Sequence, residues 1–235
     1  MQQLLKRVFE SSLGKKYIMA VSGGLLFLFV VAHLLGNLQI FLGPEAINRY
    51  GHFLQSNPEI IWPARIGLLV MVGLHIWAAI TLTRQNRAAR PVTYAHYEVV
   101  AASYASRTMF MSGLIILAFI IYHLLHFTVQ VPQINLTGKN FLEFHDPQQR
   151  HDVFLMMVTG FSNIWVSAFY IVGMALLCLH LSHGVSSMFQ SLGWKKRSYG
   201  VFLDKFARVI AIAIFIGYVS IPVAVLLGYG KEALR

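Results

Sequence analysis

Cysteine is almost absent from this chain, and its scarcity excludes several kinds of protein. The 235 residues contain one cysteine, Cys178, so the chain forms no internal disulfide. One thiolate is too few for a cysteine-ligated iron–sulfur cluster or a CxxC zinc site. The sequence also lacks C-x-x-C-H, so any haem is held without covalent attachment, as haem b is.

Charged residues are also few, at 12% of the chain against roughly 25% in soluble domains, whereas 57% of the residues are hydrophobic. A helix needs about 20 apolar residues to cross a hydrocarbon core of roughly 30 Å. Five stretches are long enough: residues 17–42, 60–83, 108–131, 161–188 and 206–227. We therefore expect an all-α integral membrane protein, in which residues 1–235 form a single membrane domain with a bundle of five transmembrane helices.

The net charge of +10 follows the connections between the stretches. Basic residues precede the first stretch and fill the second and fourth connections: Lys6, Arg7, Lys15, Lys16, Arg84, Arg87, Arg90, Arg107, Lys195, Lys196, Arg197 and Lys205. Acidic residues occupy the first and third connections: Glu45, Glu59, Glu143, Asp146 and Asp152. Because cytoplasmic loops carry the excess of Lys and Arg, we expect a cytoplasmic N-terminus and an outside C-terminus. The basic balance predicts topology and contact with anionic lipid rather than nucleic-acid binding.

Four of the five stretches each contain a histidine near membrane depth: His33, His75, His123 and His180. An ionisable side chain in hydrocarbon is by default a functional-site hypothesis. Neutral imidazole is the commonest metal ligand and an axial ligand of haem iron. Four histidines on four helices therefore predict two haems b, each held between two helices.

Helix geometry sorts these histidines by depth. With a cytoplasmic N-terminus, the first and third stretches run outward and the second and fourth run inward, at 1.5 Å per residue. His33 and His123 then belong to the outer half, and His75 and His180 to the inner half. We expect His33 to pair with His123 and His75 with His180. Iron with two histidine ligands has no open position for oxygen, so the prediction is electron transfer.

Other polar residues are candidates for a quinone or for the haem propionates. His126 and His183 lie three residues beyond His123 and His180, on nearly the same helix face, so either can replace its neighbour as ligand. The other candidates near the two haems are Ser22, Arg84 and Arg107 on the inner side and Asn37, Gln39, Asn48, Tyr50 and His52 on the outer side. The histidines of the polar connections are expected to be solvated, and the spacing of His145, Asp146, His151 and Asp152 fits no strong metal-binding pattern.

Four segments resemble a known family: SSLGKKYIMAVSGGLLFLFVVAHLLGNLQIF, RQNRAARPVTY, IIYHLLHF and CLHLSHGVSSMFQSLG. They are similar to the dihaem cytochrome b membrane-anchor subunit of bacterial succinate dehydrogenase and fumarate reductase. The resemblance covers essentially the whole chain, and its specific motifs are H-L-x-x-N from His33 and H-x-S-x-G from His180. It implies the same four haem ligands, paired as depth pairs them.

The resemblance also implies partners and a place in metabolism. The family forms a three-subunit respiratory complex II of the tricarboxylic acid cycle, in the bacterial cytoplasmic membrane. A flavoprotein handles the dicarboxylate, an iron–sulfur subunit relays electrons, and the anchor exchanges them with quinone, here expected to be menaquinone. Some members carry a glutamate just before the fourth-helix ligand, which is thought to conduct compensating protons. This chain has Leu177, Cys178 and Leu179 there, so the resemblance does not extend to that proton route.

Three questions stay open from the sequence. The direction of catalysis does not follow from it, because the same subunit design serves succinate oxidation and fumarate reduction. An alternative is the dihaem cytochrome b anchor of another respiratory enzyme, a hydrogenase or formate dehydrogenase. A transporter with a histidine proton relay is disfavoured, because we expect no acidic residue inside the spans.

Overall fold

The computed structural model describes residues 8–89 and 104–234, and their regular structure is helical. Five helices are long and apolar enough to cross a membrane, which confirms the predicted five-span, all-α fold. The α-helices are α1 (Ser12–Asn37), α2 (Pro44–Gln55), α3 (Pro58–Ala88), α4 (Tyr104–His123), α5 (Val153–Ser162), α6 (Ile164–Ser191) and α7 (Gly200–Leu226). The 3-10 segments are Leu38–Leu42, Phe141–Glu143 and Lys231–Leu234, and a π-helical turn, Leu124–Thr128, continues α4.

The ends of the helices follow from local chemistry. Gly43 adopts φ 96°, which suits glycine, and it ends the 3-10 continuation of α1. Pro44 then opens α2, where its missing N–H needs no partner. Along the sequence, the short helix α2 lies between α1 and α3, and the short helix α5 lies between α4 and α6.

The predicted fourth span, residues 161–188, is corrected to Ile164–Ser191. Asn163 has an extended backbone, with φ −78° and ψ 120°, which separates α5 from α6. Its side-chain oxygen accepts hydrogen bonds from the amides of Trp165 at 2.9 Å and Val166 at 3.3 Å, and so caps α6. A single polar residue, Asn163, thus separates α5 from α6, although the hydrophobicity of the sequence does not separate them.

The other spans differ at their ends. The first runs Ser12–Leu42, the second Pro58–Ala88, the third Tyr104–Thr128 and the fifth Gly200–Leu226. The third stops early because the helix passes through a π turn and Gln130 then adopts a left-handed φ of 60°. The expectation of no acidic residue at membrane depth stays a prediction. The second helix begins two residues before its predicted start and includes Glu59, and the fifth begins six residues before and includes Asp204. That carboxylate is paired, since Lys195 Nζ lies 2.6 Å from it.

The chain divides into two compact units, and the long helices contribute to both. The first unit takes the described residues of Met1–Val30, Ala64–Met111 and Leu179–Ala211, and the second takes those of Val31–Pro63, Ser112–Cys178 and Ile212–Arg235. Lys6, Arg7, Arg90 and His96, which entered the sequence predictions, lie outside the described residues.

The second unit contains an aromatic hydrophobic core and a polar network between α2 and α5. Its core includes Phe119, Phe141, Phe154, Phe161 and Tyr170. In the network, Asn48 donates to Asp152 Oδ1 at 3.0 Å and accepts from the Phe154 amide at 2.9 Å. Asp152 in turn caps α5 by accepting from the Leu155 amide at 2.9 Å.

The first unit buries mainly small or aliphatic side chains. Its buried residues include Ala20, Ser22, Ala78, Leu82, Leu181, Val185, Ser186, Ala207 and Ala211. A polar cluster joins α6 to α7, where Lys195 Nζ lies 2.9 Å from Ser186 Oγ and the Ser186 hydroxyl donates to Asp204. Helices of this unit therefore approach each other through small residues.

Candidate haem-binding histidine pairs

His33 of α1 and His123 of α4 lie side by side in the second unit. Their ring centroids are 5.8 Å apart, and the ring planes make an angle of 79°. Phe119, one turn before His123, stacks on it at 6.1 Å, and the Tyr218 ring lies 6.3 Å from His33. The hydroxyl oxygen of Tyr170 on α6 lies 3.3 Å from His123 Nδ1. Three helices thus orient the His123 imidazole.

His75 of α3 and His180 of α6 form the corresponding pair of the first unit. Their centroids are 6.3 Å apart, with the planes at 63°. His75 packs against the backbone of α1 at Gly23, where an added Cβ would lie 3.1 Å from Cε1 and 3.3 Å from Nδ1. The Ser22 hydroxyl donates to the Ile18 carbonyl at 2.7 Å, so its oxygen is free to accept from His75 Nδ1 at 3.3 Å. If His75 Nδ1 carries the proton, it donates to that oxygen, and the Nε2 lone pair is available for a metal.

Both separations suit a metal ion held between two imidazoles. Nitrogen–metal distances of about 2.0 Å on each side put the centroids of two opposed rings about 6 Å apart. Within the described ranges, no group of three or more His, Cys, Asp or Glu side chains gathers to hold a metal ion, so each pair would offer two protein ligands. Haem iron bound by a porphyrin takes two axial protein ligands. The donor set and the spacing therefore fit the two protein ligands that haem iron takes.

The two neighbouring histidines have different partners. His126 is fully buried, with Nδ1 3.0 Å from the Tyr170 hydroxyl and its ring stacked on Phe127 at 3.9 Å. His183 is half-buried, and its Nε2 lies 2.9 Å from Ser187 Oγ. The structure thus places His123 and His180 opposite their expected partners, and His126 and His183 beside them.

The remaining candidates are not gathered around either pair. Asn37 donates back to the His33 carbonyl at 2.7 Å. Arg84 and Arg107 are exposed, and the Arg107 guanidinium carbon lies 6.0 Å from the Tyr104 ring centroid. His52 is exposed near Ser56, as expected, whereas His151 is half-buried and lies 3.1 Å from Gln130.

A shallow cavity of about 360 Å³, open to the surface, lies in the second unit and is lined by Gln39, Ala46, Arg49, Tyr50 and Phe53. Tyr50 packs on Gly36, where an added Cβ would lie 2.8 Å from the ring. Gln39 and Tyr50 were candidates from the sequence, whereas Arg49 and Phe53 were missed. The i, i+3, i+4, i+7 spacing of the α2 residues is the signal that puts them on one face.

Tyr170 was also missed, because nothing marks a tyrosine within an apolar helix as the partner of two histidines. Comparisons of the chain with protein-family models, with curated proteins and with solved structures found no match.

Proposed function

We propose that this chain is a membrane cytochrome b that binds two haems b and passes electrons between a partner enzyme and membrane quinone. His33 and His123 would hold one haem, and His75 and His180 the other. The observation that carries the proposal is the pair of imidazole contacts, 5.8 and 6.3 Å between centroids, each joining two apolar helices. When bound between two histidines, haem iron accepts and releases one electron at a time.

The residues around each pair orient the ligands. A hydrogen bond at Nδ1 fixes the tautomer that presents Nε2 to a metal, and it limits rotation of the ring. Ser22 supplies this contact for His75 at 3.3 Å, and Tyr170 supplies it for His123 at 3.3 Å. Preorganised ligands favour rapid electron transfer because little has to move when the charge changes.

The cavity on α2 supports exchange with quinone. A quinone has a flat ring and two carbonyl oxygens that need hydrogen-bond donors. The cavity offers Arg49, Gln39 and the Tyr50 hydroxyl as donors and Phe53 as an apolar wall. Oxidation of a quinol there would release two electrons and, because the cavity is open to the surface, two protons to solvent.

We propose that the partner enzyme is succinate dehydrogenase or fumarate reductase of a bacterial cytoplasmic membrane. The sequence resemblance supports this, and the single cysteine agrees with iron–sulfur clusters lying on another subunit. In this arrangement the N-terminus is cytoplasmic, the C-terminus is outside, and Lys195, Lys196 and Arg197 contact anionic lipid. The flavoprotein subunit would contain the dicarboxylate site, and the quinone would be menaquinone.

Haem content and pairing test the proposal together. The complex is purified in detergent with its partners, and a reduced-minus-oxidised spectrum is recorded with the haem content per chain. We expect two low-spin b haems in the wild type and one in His33→Ala or His123→Ala. The double variant His33→Ala/His123→Ala should still keep one, whereas His33→Ala/His75→Ala should keep none. His52→Ala, at an exposed position, is the matched control and should keep two.

Each alternative has its own result. A wild type without haem in freshly prepared membranes would overturn the proposal. One haem in His33→Ala/His75→Ala would show that the pairing is wrong. Hydrogenase or formate dehydrogenase subunits among the co-purifying proteins would replace the succinate dehydrogenase assignment while keeping the cytochrome.

A further inference from the structure

Polar groups connect His123 with the segment between α4 and α5. The Tyr170 hydroxyl lies 3.3 Å from His123 Nδ1 and 3.0 Å from His126 Nδ1. Farther along the chain, Gln130 Nε2 lies 3.1 Å from His151 Nε2. The contacts form two short series, one ending at His126 and the other beginning at Gln130.

An unpartnered atom stands at the end of each series. Among the described residues, His126 Nε2 and Gln130 Oε1 are buried side-chain atoms without a hydrogen-bond partner. Both side chains are enclosed, with 0% of His126 and 7% of Gln130 exposed. Buried polar atoms are nearly always paired, with protein or with ordered water. These two atoms therefore point to a missing partner.

The side chains of His126 and Gln130 both lie against α5. A Cβ on Gly160 would lie 3.2 Å from His126 Cε1, and Gln130 Nε2 lies 3.3 Å from Met156 Sδ. Gly160 and Met156 are four residues apart, and so lie on one helix face, one turn from each other. A water molecule needs two or more polar partners in a buried site, and a water bound between these two atoms would have both.

The backbone of the segment is irregular where it presents these side chains. His126 lies in the π-helical turn Leu124–Thr128, and Gln130 adopts a φ of 60°, which is uncommon for a residue with a side chain. Such departures persist only where the surrounding structure holds them, and they concentrate at functional sites.

Donors and acceptors can be assigned consistently along both series, from His123 to His151. If His123 binds iron through Nε2, its Nδ1 carries the proton and donates to the Tyr170 oxygen. Tyr170 then donates to His126 Nδ1, which leaves the proton of His126 on Nε2. Gln130 Oε1 is an acceptor, and Gln130 Nε2 donates to His151. One water between His126 and Gln130 would accept from His126 Nε2 and donate to Gln130 Oε1, which gives both unpartnered atoms a hydrogen bond.

We propose that Tyr170, His126 and Gln130, joined by one bound water, form a hydrogen-bond chain that positions His123 and sets its strength as an iron ligand. The inference rests on the proposed haem function and assigns three positioning residues to it. A ligand imidazole that donates from Nδ1 becomes more basic, and a more basic ligand stabilises oxidised iron. The chain therefore lowers the reduction potential of the haem on His33 and His123.

Potentiometric titration of the detergent-purified complex tests the chain, with haem content and the low-spin EPR signal measured on the same samples. Tyr170→Phe keeps the ring and removes the hydroxyl. We expect it to retain two haems and to shift the potential of one of them to a more positive value. His126→Leu and Gln130→Leu should shift the same haem by progressively smaller amounts, because they break the chain farther from His123.

Tyr122→Phe is the matched control. Tyr122 belongs to the same aromatic group, 6.0 Å from the Tyr170 ring, but its hydroxyl donates to the Ile134 carbonyl at 3.2 Å. Its loss should leave both potentials and the EPR signal unchanged. An equal shift in Tyr122→Phe and Tyr170→Phe would overturn the inference, because it would show a general effect of polarity.

The other outcomes separate this inference from the proposed function. A wild type without haem refutes the function itself. Two haems with unchanged potentials in Tyr170→Phe would refute the hydrogen-bond chain and leave the proposed haem function standing. If Tyr170→Phe loses a haem, the haem potentials of His126→Leu and Gln130→Leu test the hydrogen-bond chain instead. The absence of a shift in both variants would refute it. Loss of one haem in His126→Leu, with both kept in Tyr170→Phe, would make His126 the ligand and overturn the chain.

Discussion

The two units present similar histidine pairs in different surroundings. In the second unit, His123 lies among the rings of Phe119, Phe127 and Tyr170, next to the fully buried His126. In the first unit, His75 is set against the backbone of α1 at Gly23. The centroid separations are nevertheless similar, 5.8 and 6.3 Å.

The difference shows that one ligand geometry is reached by two kinds of packing. Large side chains enclose and hydrogen-bond His123, whereas a missing Cβ makes room for His75. Each of these imidazoles has one hydroxyl contact at 3.3 Å, so the contrast lies in what surrounds the ring: aromatic side chains around His123, and the backbone of α1 against His75.

Adding volume beside His75 should have the largest effect. The Cβ of Gly23→Leu would lie 3.1 Å from His75 Cε1, and its branched side chain would extend into the space of the imidazole ring. We expect the haem content to fall from two per chain to one, with the haem of the second unit retained. The measurement is haem per chain together with the reduced-minus-oxidised spectrum.

Gly67→Leu is the control for this substitution. Gly67 belongs to the same unit, and an added Cβ there meets nothing within 4 Å. It should keep two haems. Retention of both haems in Gly23→Leu would contradict the claim that the first unit depends on the small residue.

Removing the polar contact between α2 and α5 should have the next largest effect. Asn48→Leu leaves the buried Phe154 amide without its acceptor at 2.9 Å and removes one of the two donors to Asp152 Oδ1, at 3.0 Å. Leaving a buried polar group unpaired costs about 1–3 kcal/mol. We expect a decrease of that size in the free energy of unfolding, measured by denaturation in detergent.

Asn57→Leu is the matched control, because Asn57 makes an exposed hydrogen bond to the Phe53 carbonyl at 2.6 Å. Its effect should stay within about 0.5 kcal/mol. Equal effects of the two substitutions would show that Asn48 does not fix α2 to α5.

The sequence predicted the fold well because long hydrophobic runs are a direct signal of membrane-spanning helices. It also predicted which histidine rings come together, because depth in a helix is a simple function of residue number. Their role as haem ligands stays a prediction. His126 and His183 could not be separated from their neighbours by spacing, since three residues make less than one full turn.

What the sequence did not reveal depends on single polar contacts. Asn163 interrupts an apolar run by capping α6, and hydrophobicity carries no trace of such a cap. Asp204 can belong to an apolar helix because Lys195 and Ser186 satisfy it. Tyr170 reaches two histidines from another helix, and a contact between residues 44 and 47 positions apart requires knowledge of the packing.

The ion pairs of the two units should differ in their contribution to stability. Arg150 binds Asp146 at 2.7 Å and Glu45 at 2.6 Å, whereas Lys195 binds Asp204 at 2.6 Å. The Asp146 side chain is 4% exposed and that of Asp204 is 36% exposed. Removing the partner of the more enclosed carboxylate is more damaging. We expect Arg150→Met to lower the melting temperature in detergent more than Lys195→Met.

Lowering the pH should weaken the two ion pairs of Arg150, because it protonates their carboxylates. Burial opposes ionisation of Asp146, but hydrogen bonds from Arg150 and Gln148 outweigh it and lower its pKa. The hydrogen bond from Arg150 also lowers the pKa of Glu45. These carboxylates therefore stabilise the fold above their ordinary pKa values, and the stabilisation is lost as the pH falls through the lowered pKa values.

Lys196→Met, at an exposed position, is the control for the two ion-pair substitutions. A larger decrease in melting temperature for Lys195→Met than for Arg150→Met would contradict the expected order.

The smallest effect should come from His151, which contacts Gln130 at 3.1 Å. Burial lowers the pKa of His151, with a further contribution from His145. The unfolded chain then binds a proton first as the pH falls below the ordinary value of about 6.5. Stability is complete above that pH and decreases below it, until the folded protein also takes up the proton.

Comparison of the melting temperature in detergent at pH 7.5 and pH 5.5 checks this, because the decrease should be smaller in His151→Gln than in the wild type. Glutamine does not titrate and still offers an oxygen to the Gln130 amide. His52→Gln, at an exposed position, is the control and should keep the wild-type difference. If His151→Gln also keeps it, the acid sensitivity of the second unit lies in its carboxylates and not in the histidine that ends the hydrogen-bond chain.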